Sequence, residues 1–329
     1  MSIDWNALKA VIDSANKINL TSHIRPDCDA LGSELGMAGL LRQMGKEVRI
    51  INGQETPPNL AFIDPRNEIK CIDKDVQAAD ILDADLWIIL DTSAWAQLGP
   101  MGDVLRQFEG KKIIFDHHVG EDDLGAEPFK NTTAEATGRM VVEATEAFGL
   151  KLTEEMAMPL FAAVATDTGW FRFPSARSFT YDVGSKLIEA GASPAGIYAD
   201  LYERETLGRL RLKGVVLERI STELDGTFAH THILKEDFER TGALATDTED
   251  LVNHCLEIQG TQFAVIMIEQ LTGGFKISFR SRCSVECNQV ASEFGGGGHK
   301  AAAGAFIKGS FDEVAPKLLD HVRQSLKSA

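Results

Sequence analysis

The most informative segment of the chain reads Lys112-Ile113-Ile114-Phe115-Asp116-His117-His118. Its β-branched and aromatic run is typical of a strand buried on both faces, and it ends in three side chains that can bind a metal or transfer protons. Two other apolar runs end in the same way: residues 18–22 lead into His23, and residues 86–90 lead into Asp91. Because ligands bind beyond the carboxyl ends of parallel strands, the pattern predicts a parallel sheet with a functional edge.

The composition is that of a globular protein, with 329 residues, 44% hydrophobic and 25% charged. The length predicts two domains. No apolar run is long enough to span a bilayer, and the first residues lack the basic and apolar regions of a signal peptide. Five scattered cysteines argue against a disulfide framework. We therefore expect a cytoplasmic protein that has no membrane partner.

The formal net charge is −16, from 33 Lys and Arg against 49 Asp and Glu. Proteins that bind long nucleic acid non-specifically are usually basic, so the charge argues against long duplex nucleic acid as a partner. A small phosphorylated substrate is compatible with it if metal ions and a few Arg or His residues supply positive charge locally.

The pattern of elements changes near residue 191. Before it, predicted strands alternate with predicted helices, which indicates an α/β domain with a parallel sheet over residues 1–191. Residues 192–220 contain two helical stretches and are predicted to form a connector. Beyond them, strands at 227–233, 263–268 and 275–280 and a hairpin turn between the last two predict a smaller mixed α+β domain over residues 221–329.

Candidate metal ligands follow the predicted strands and helices. His23, Asp27 and Asp29 occupy a strand-to-helix turn, and imidazole with carboxylates suits Mn, Fe, Co or Zn better than Ca. The alternative is that Asp27 or Asp29 only caps the helix that follows. Asp91 and Asp167, each taken alone, also have capping or turn formation as the simpler interpretation.

The pair His117-His118 can share one site only if the strand has already ended, since neighbouring strand residues point to opposite faces. One imidazole would then bind metal while the other faces substrate, and Asp116 would orient an imidazole. Two solvated surface histidines are the alternative. Taken together, the segments supply ligands for two ions about 3.5–4 Å apart and bridged by a carboxylate: His23, Asp27, Asp29, Asp91, His117 and Asp167.

Four segments resemble the motifs of the DHH phosphoesterase superfamily, in order and spacing: H-I-R-P-D-C-D-A-L-G-S from residue 23, I-L-D-T-S from 89, D-H-H from 116 and A-T-D-T-G from 165. The resemblance implies a hydrolase with two divalent ions, most often Mn²⁺. It implies that one ion is held by His23, Asp27 and Asp91, and the other by Asp29, Asp91, His117 and Asp167. It also implies that His118 faces the substrate phosphate, so His118 and Asp116 are the predicted catalytic residues. Cys28 stands where glycine is frequent in the family, and either a redox-sensitive site or simple tolerance of the thiol would explain it.

The glycine run at 295–298 is followed by His299 and an alanine-rich stretch. The run is either a flexible loop or a place where backbone N–H groups approach an anion, and the alanines are predicted to begin a helix. This segment resembles the glycine-rich histidine motif of the DHHA1 domain, and residues 278–281 resemble that domain's second motif. The resemblance implies a cleft between the domains and these substrate-binding residues: Arg280, Ser281, Gly296, Gly297, Gly298 and His299.

Among two-domain members, the resemblance is closest to the nanoRNase/pAp phosphatase group. It implies hydrolysis of short oligoribonucleotides (nanoRNA), of 3′-phosphoadenosine 5′-phosphate (pAp), or of both. A phosphodiesterase for cyclic di-AMP or pApA is the alternative enzyme. A regulator that binds nucleotides or RNA is the alternative from another class, although such a protein would be expected to lose ligands. The sequence leaves open the preferred substrate, the polarity of RNA degradation, the physiological metal and the oligomeric state, with a homodimer among the alternatives.

Overall fold

The computed structural model describes residues 3–120 and 122–328. The chain divides into two compact units, Met1–Glu203 (unit 1) and Arg204–Ala329 (unit 2). The boundary falls inside the stretch 192–220 that was predicted as a connector, because the first of its two helices belongs to unit 1 and the second to unit 2. Within the described ranges, no helix is long and apolar enough to cross a membrane.

Unit 1 is built on six strands: β1 (Lys17–Thr21), β2 (Glu47–Asn52), β3 (Ile69–Cys71), β4 (Leu86–Leu90), β5 (Lys111–Asp116) and β6 (Glu127–Lys130). They form one sheet in the order β3-β2-β1-β4-β5-β6, and each neighbouring pair is parallel. The parallel α/β prediction is confirmed. Strand β6 was not predicted, because its short polar sequence contains Pro128, which is tolerated only at a sheet edge or bulge.

Eight helices surround this sheet in the described part of unit 1: α1 (Trp5–Asp13), α2 (Cys28–Gln43), α3 (Trp95–Leu98), α4 (Pro100–Gln107), α5 (Thr137–Ala147), α6 (Glu154–Asp167), α7 (Ser178–Glu189) and α8 (Pro194–Tyr202). Helix α5 begins at Thr137 and not at residue 133 as predicted. The reason is local, since Asn131 holds the preceding residues in a turn: its carbonyl accepts from Ala134 N at 3.0 Å, and its side chain accepts from Thr133 Oγ1 at 2.8 Å.

Helices α2 and α6 pack together at unusually short range, which positions both for the site. A Cβ atom on Gly32 would lie 2.2 Å from Pro159 O, and one on Gly36 would lie 2.5 Å from a Leu160 methyl carbon. The contacts run in opposite directions along the two helices, from Gly32 near Ala163 to Gly39 near Met156. The N-terminus of α2 therefore lies beside the C-terminus of α6.

Unit 2 contains the strands β7 (Ser221–Glu223), β8 (Phe228–Ile233), β9 (Phe263–Glu269), β10 (Phe275–Ser281), β11 (Gly297–Gly298) and β12 (Ala302–Ile307). Its helices are α9 (Leu207–Glu218), α10 (Lys235–Thr241), α11 (Cys287–Ser292) and α12 (Phe311–Lys327). The sheet order is β11-β12-β10-β9-β8-β7; β8 and β9 are parallel and the other pairs are antiparallel. The predicted mixed α+β domain and its β9–β10 hairpin are confirmed.

The helix predicted after the glycine run is wrong, because these alanines form strand β12. Ala302 pairs with Arg280, and the pairing continues to Ile307 opposite Phe275. Helix propensity is a weak preference that such tertiary pairing overrides. Small residues are needed here for another reason: a Cβ on Gly296 would lie 2.1 Å from Gly304 O.

Candidate metal centre and active site

The carboxyl ends of three adjacent strands supply the site. His23 lies two residues beyond the end of β1, Asp91 directly follows β4, and Asp116 is the last residue of β5. His117 and His118 lie beyond that strand end, as their sharing of one site requires. Asp91 has a left-handed φ of +59°, which Asp adopts more readily than most residues.

Asp91 is the centre of the cluster. Its Oδ2 lies 3.4 Å from Nε2 of His23, and its Oδ1 lies 3.5 Å from Nε2 of His117. Its side chain is only 2% exposed. The two oxygens of one buried carboxylate thus face two different imidazoles, which is the geometry expected of a ligand that bridges two ions.

The other candidate ligands lie around His23 and His117. Asp27 Oδ1 lies 3.8 Å from His23 Nε2, while Asp29 Oδ2 and Asp167 Oδ2 lie 3.8 Å and 3.5 Å from His117 Nε2. Ligand atoms within 4.8 Å of one another form three sets in the described chain that could hold a metal ion: His23, Asp27, Asp91; Asp29, His117, Asp167; and Asp91, His117, His118. The structure therefore brings all six predicted metal ligands together.

The two imidazoles at Asp91 are oriented by the backbone. Nδ1 of His23 lies 3.0 Å from Ile24 O, and Nδ1 of His117 lies 3.1 Å from Ala134 O. A carbonyl can only accept, so each Nδ1 donates to it and each Nε2 is left to face the carboxylates. Metal-binding histidines are commonly oriented in this way.

Asp27 caps α2 and also lies among the candidate metal ligands, so the two roles that the sequence left open are compatible. Its Oδ1 accepts hydrogen bonds of 3.0 Å from the backbone N–H groups of Asp29 and Ala30, so it caps α2. The same carboxylate belongs to a metal-binding set with His23 and Asp91. The cap fixes the direction of Asp27 and leaves 61% of its side chain exposed.

The carboxylates of this cluster lie close enough together to oppose one another's ionisation. Burial first, and then the neighbouring Asp29 and Asp27, raise the pKa of Asp91 well above its usual value and that of Asp167 to about 7. Burial also raises the pKa of Asp29. Like charges at this range oppose ionisation, whereas a bound cation favours it. The cluster is thus suited to divalent ions.

Backbone donors that sequence reasoning missed hold Asp29. Its oxygens accept from Thr137 N at 2.7 Å and Gly138 N at 2.8 Å, and Thr137 Oγ1 donates to Asp91 Oδ1 at 2.9 Å. A Cβ on Gly138 would lie 2.6 Å from the Cβ of Ala163. A Thr-Gly pair at a helix start was the available signal, but the segment was interpreted as helix interior.

His118 differs from His117 in both exposure and partner. Its side chain is 56% exposed, and its Nδ1 lies 2.8 Å from Asp116 Oδ1, which also accepts from the backbone N of His118 at 3.0 Å. The hydrogen bond to Asp116 raises the pKa of His118. Nδ1 of His118 also lies 3.8 Å from Asp91 Oδ1, but its N–H donates the hydrogen bond to Asp116. Nε2 is therefore available to another partner.

Asp116 was predicted as a catalytic residue, but its side chain has no exposed surface. Because it cannot touch a substrate, it is better described as a residue that positions His118. Burial alone would raise the pKa of Asp116, but hydrogen bonds from His118 and Ser93 outweigh burial and lower it. Asp116 Oδ2 also lies 3.3 Å from Lys130 Nζ. Lys130 and Ser93 were not predicted, because their contacts join residues that are distant in the chain.

The candidate ligands open into a depression of about 600 Å³. Its lining includes five of the six candidate metal ligands, together with His118: His23, Asp27, Asp91, His117 and Asp167. Cys28, in contrast, is buried in the hydrophobic core. Burial raises the pKa of its thiol to about 12, which argues against the redox-sensitive alternative, since the thiolate is the reactive form.

The residues predicted to bind substrate in unit 2 have unequal surroundings. The Arg280 guanidinium is held by Asn253 Oδ1 at 3.1 Å and Asp250 Oδ1 at 3.5 Å. Ser281 is 8% exposed and its hydroxyl donates to Val285 O at 2.6 Å, so this hydroxyl has a structural partner. His299 is exposed at the β11–β12 turn, where its N–H donates to Ala302 O at 2.7 Å.

Strand pairing in unit 2 places Arg280 and His299 at the same end of the sheet. Arg280 is opposite Ala302, and Ala302 is bonded to His299 across the turn. The glycine run lies one strand further out, as Gly297 and Gly298 pair with β12. Arg280 and the turn are therefore separated by about two strand spacings, roughly 10 Å.

Comparison with known proteins agrees with this architecture. Residues 17–165 match the DHH family, N-terminal domain, and residues 230–328 match the DHHA1 domain. The bifunctional oligoribonuclease and PAP phosphatase NrnA of Bacillus subtilis is 30% identical over 307 residues, covering 92% of this chain and 93% of the relative. The protein of the same name from Thermus thermophilus is 30% identical over 331 residues, covering 100% and 95%.

A solved structure is similar over nearly the whole length. It is an exopolyphosphatase-related protein from Bacteroides fragilis, with a TM-score of 0.80, 29% sequence identity, and coverage of 98% of this chain and 95% of that one. On the strength of the matched domains and of relatives aligned over almost their full length, this chain belongs to the DHH family and carries a C-terminal DHHA1 domain.

Proposed function

We propose that this protein is a phosphoesterase that uses two divalent metal ions to hydrolyse short oligoribonucleotides and pAp. The observation that carries the proposal is the position of Asp91, whose two oxygens face His23 and His117 separately. The names of the relatives from Bacillus subtilis and Thermus thermophilus support the substrate class.

The residues fit a pair of ions. His23, Asp27 and Asp91 would hold one. Asp29, His117 and Asp167 would hold the other, together with Asp91, whose Oδ1 lies 3.5 Å from His117 Nε2. Nitrogen and carboxylate donors in this proportion suit Mn²⁺ and similar ions, and we propose Mn²⁺ as the preferred metal.

Bound divalent ions supply Lewis-acid activation and neutralise charge at a phosphoryl group. His118 supplies a proton donor beside them: Asp116 holds its Nδ1 and favours the imidazolium, and Nε2 is left to donate to a phosphoryl or leaving-group oxygen. Ser93 and Lys130 keep Asp116 ionised. The chain thus orients one proton donor towards the substrate.

For unit 2 we propose an anion-binding surface formed by Arg280 and His299 with the backbone of Gly297 and Gly298. Gly296 was also predicted to bind substrate, but its N–H donates to Ala291 O at 2.9 Å and is not available to an anion. Ser281 has a structural role instead, because its hydroxyl donates to Val285 O and holds the turn that follows β10. A surface with so few cationic groups, on a chain with a net charge of −16, suits a nucleotide or short RNA and not the long row of phosphate contacts that duplex binding requires. The predicted homodimer stays a prediction, which light scattering of the purified protein tests.

The experiment is a substrate panel with the full chain, first stripped by EDTA and then supplied with Mn²⁺ or Mg²⁺. The panel contains pAp, RNAs from two to about twenty nucleotides, pApA, cyclic di-AMP and pyrophosphate. We expect kcat/KM to be highest for pAp and the shortest RNAs, with Mn²⁺ more effective than Mg²⁺. Equal efficiency on long and short RNA would contradict the proposal.

The alternative substrate is favoured by one comparison. The cyclic-di-AMP phosphodiesterase GdpP of Geobacillus thermodenitrificans is 24% identical over 315 residues, which cover 91% of this chain and 46% of that protein. Preferential hydrolysis of cyclic di-AMP or pApA in the same panel would establish this alternative. Nucleotide binding without turnover in any metal would instead establish a regulator.

A further inference from the structure

The residues after Asp167 form a left-handed turn that the proposed chemistry does not use. Trp170 and Phe171 have φ values of +60° and +61°, which bulky side chains rarely adopt. Hydrogen bonds close the turn, from Trp170 N to Ala165 O at 2.6 Å and from Phe171 N to Thr168 Oγ1 at 3.1 Å. Such backbone strain persists only where the surroundings fix it, and it clusters at binding sites.

This turn holds Trp170 in an aromatic cluster with two tyrosines of α8. The Trp170 ring centroid is 5.1 Å from Tyr198 and 5.8 Å from Tyr202, and the two tyrosines are 4.9 Å apart. Phe161, from the hydrophobic core, supports Trp170 from behind at 6.2 Å. Tyr198 and Tyr202 are 39% and 49% exposed. We call Trp170, Tyr198 and Tyr202 the aromatic platform.

The aromatic platform lies beside the candidate metal centre. Trp170 follows Asp167 by three residues. Helix α8, which carries both tyrosines, packs against α6, and the C-terminus of α6 with Asp167 lies beside the N-terminus of α2 with Asp29. Arg172 belongs to the same turn as Trp170, where its Nε donates to Gly169 O at 2.7 Å. Partly exposed rings with a cation nearby have the chemistry of a surface that stacks on nucleobases.

We propose that the aromatic platform binds a base of the substrate whose phosphate is bound at the metal centre. The inference rests on the proposed function and adds a base-binding subsite within unit 1. Every nucleobase has a π-face, so stacking on this platform carries little sequence preference. It does discriminate nucleotides from phosphate esters that have no base.

The first test compares two substrates that differ only in the base: pAp and ribose 3′,5′-bisphosphate. Tyr202→Ala is expected to lower kcat/KM for pAp by about 10–100-fold, mainly through KM, because each stacked base contributes at this level. The loss on the base-free substrate is expected to be much smaller, and Tyr202→Phe, which keeps the ring, recovers most of the loss. Phe306→Ala, which removes a 48% exposed aromatic side chain of unit 2, is the matched control.

The second test needs no catalysis. Adenosine, which has no phosphate, is titrated into the full chain while tryptophan fluorescence is recorded. We expect quenching in the wild type and its loss in Trp170→Phe. If the wild type does not hydrolyse pAp, the proposed function fails, but this titration still tests the platform. Equal losses on both substrates, or no quenching of the wild type by adenosine, would overturn the inference.

Discussion

The candidate metal-binding edge of unit 1 and the glycine-rich hairpin of unit 2 were both predicted from short motifs, yet different physical effects shape them. At the edge, burial and then the neighbouring carboxylates raise the pKa of Asp91. In the hairpin, the glycines allow backbone to approach backbone, as at Gly296 and Gly304. The carboxylate cluster is therefore expected to oppose folding until a cation binds, whereas the glycines permit a close contact that a larger side chain would disturb.

The largest expected effect is on Asp91. Asp91→Asn should lose metal and lower activity by at least about 10³-fold, since even residues behind the ligands are commonly worth 10–100-fold. The same change should raise the Tm of the EDTA-treated protein, because a buried carboxylate among like charges is removed. Metal content and thermal unfolding with and without Mn²⁺ measure both effects.

The control is Asp103→Asn, which changes an 82% exposed carboxylate of the same unit. Asp103→Asn should change neither the metal content nor the Tm. Full metal content with activity near wild type in Asp91→Asn would remove the bridging role of Asp91.

The second effect is on His118. His118→Asn should retain both ions and lower kcat by about 10²–10³-fold, as a lost transition-state donor typically does. The measurement is kcat with metal content on the same sample. Loss of one equivalent of metal would make His118 a ligand instead, with Asp116 as the carboxylate that orients its imidazole through Nδ1.

The third effect tests the packing region. Gly296→Ala should destabilise the protein by roughly 1–3 kcal/mol, the usual cost of overpacking. Gly297→Ala is the matched control, since among the described residues no atom beyond its chain neighbours lies within 4 Å of the added Cβ. Urea unfolding followed by fluorescence compares the two. Equal stability of both variants would show that the glycine run serves only ligand binding.

The smallest effect concerns a buried carboxylate that has no imidazole beside it. Burial raises the pKa of Glu34 from 4.5 to about 8; its Oε2 accepts from Asn52 Nδ2 at 2.8 Å, and its Oε1 has no partner in the part of the chain that the structure describes. The folded state therefore holds this proton more tightly than the unfolded chain. Its contribution to stability is full below pH 4.5 and is lost as the pH rises through 8.

Between pH 6 and 7, Glu34 should lower the free energy of unfolding by about 1.4 kcal/mol per pH unit. Glu34→Gln should reduce the measured slope by that amount and leave the part that comes from Asp167, whose pKa is also raised, whereas Glu109→Gln, at an exposed carboxylate, should not change the slope. Urea unfolding of metal-free protein at the two pH values provides the measurement. An unchanged slope in Glu34→Gln would show that Glu34 is already ionised in the folded state.

Local sequence was sufficient to place the ends of β1, β4 and β5, whereas the set of six candidate ligands was assigned with the help of the family resemblance. Buried β-branched runs predict strands wherever they occur, and a polar residue directly after such a run is placed at the sheet edge by strand geometry alone. His23, Asp91 and His117 could therefore be predicted to lie together without any contact being known. The hairpin of β9 and β10 was predictable for the same reason, since its turn residues are contiguous.

Tertiary contacts decided the features that depend on residues far apart in the chain. Ala302 became a strand residue because it pairs with Arg280, against the helix propensity of alanine. Asp29 is held by N–H groups of Thr137 and Gly138, more than a hundred positions away. Which oxygen of Asp91 faces which imidazole, and how deeply Asp116 is buried, likewise follow from packing, because distance and desolvation are properties of the folded chain that no short motif contains.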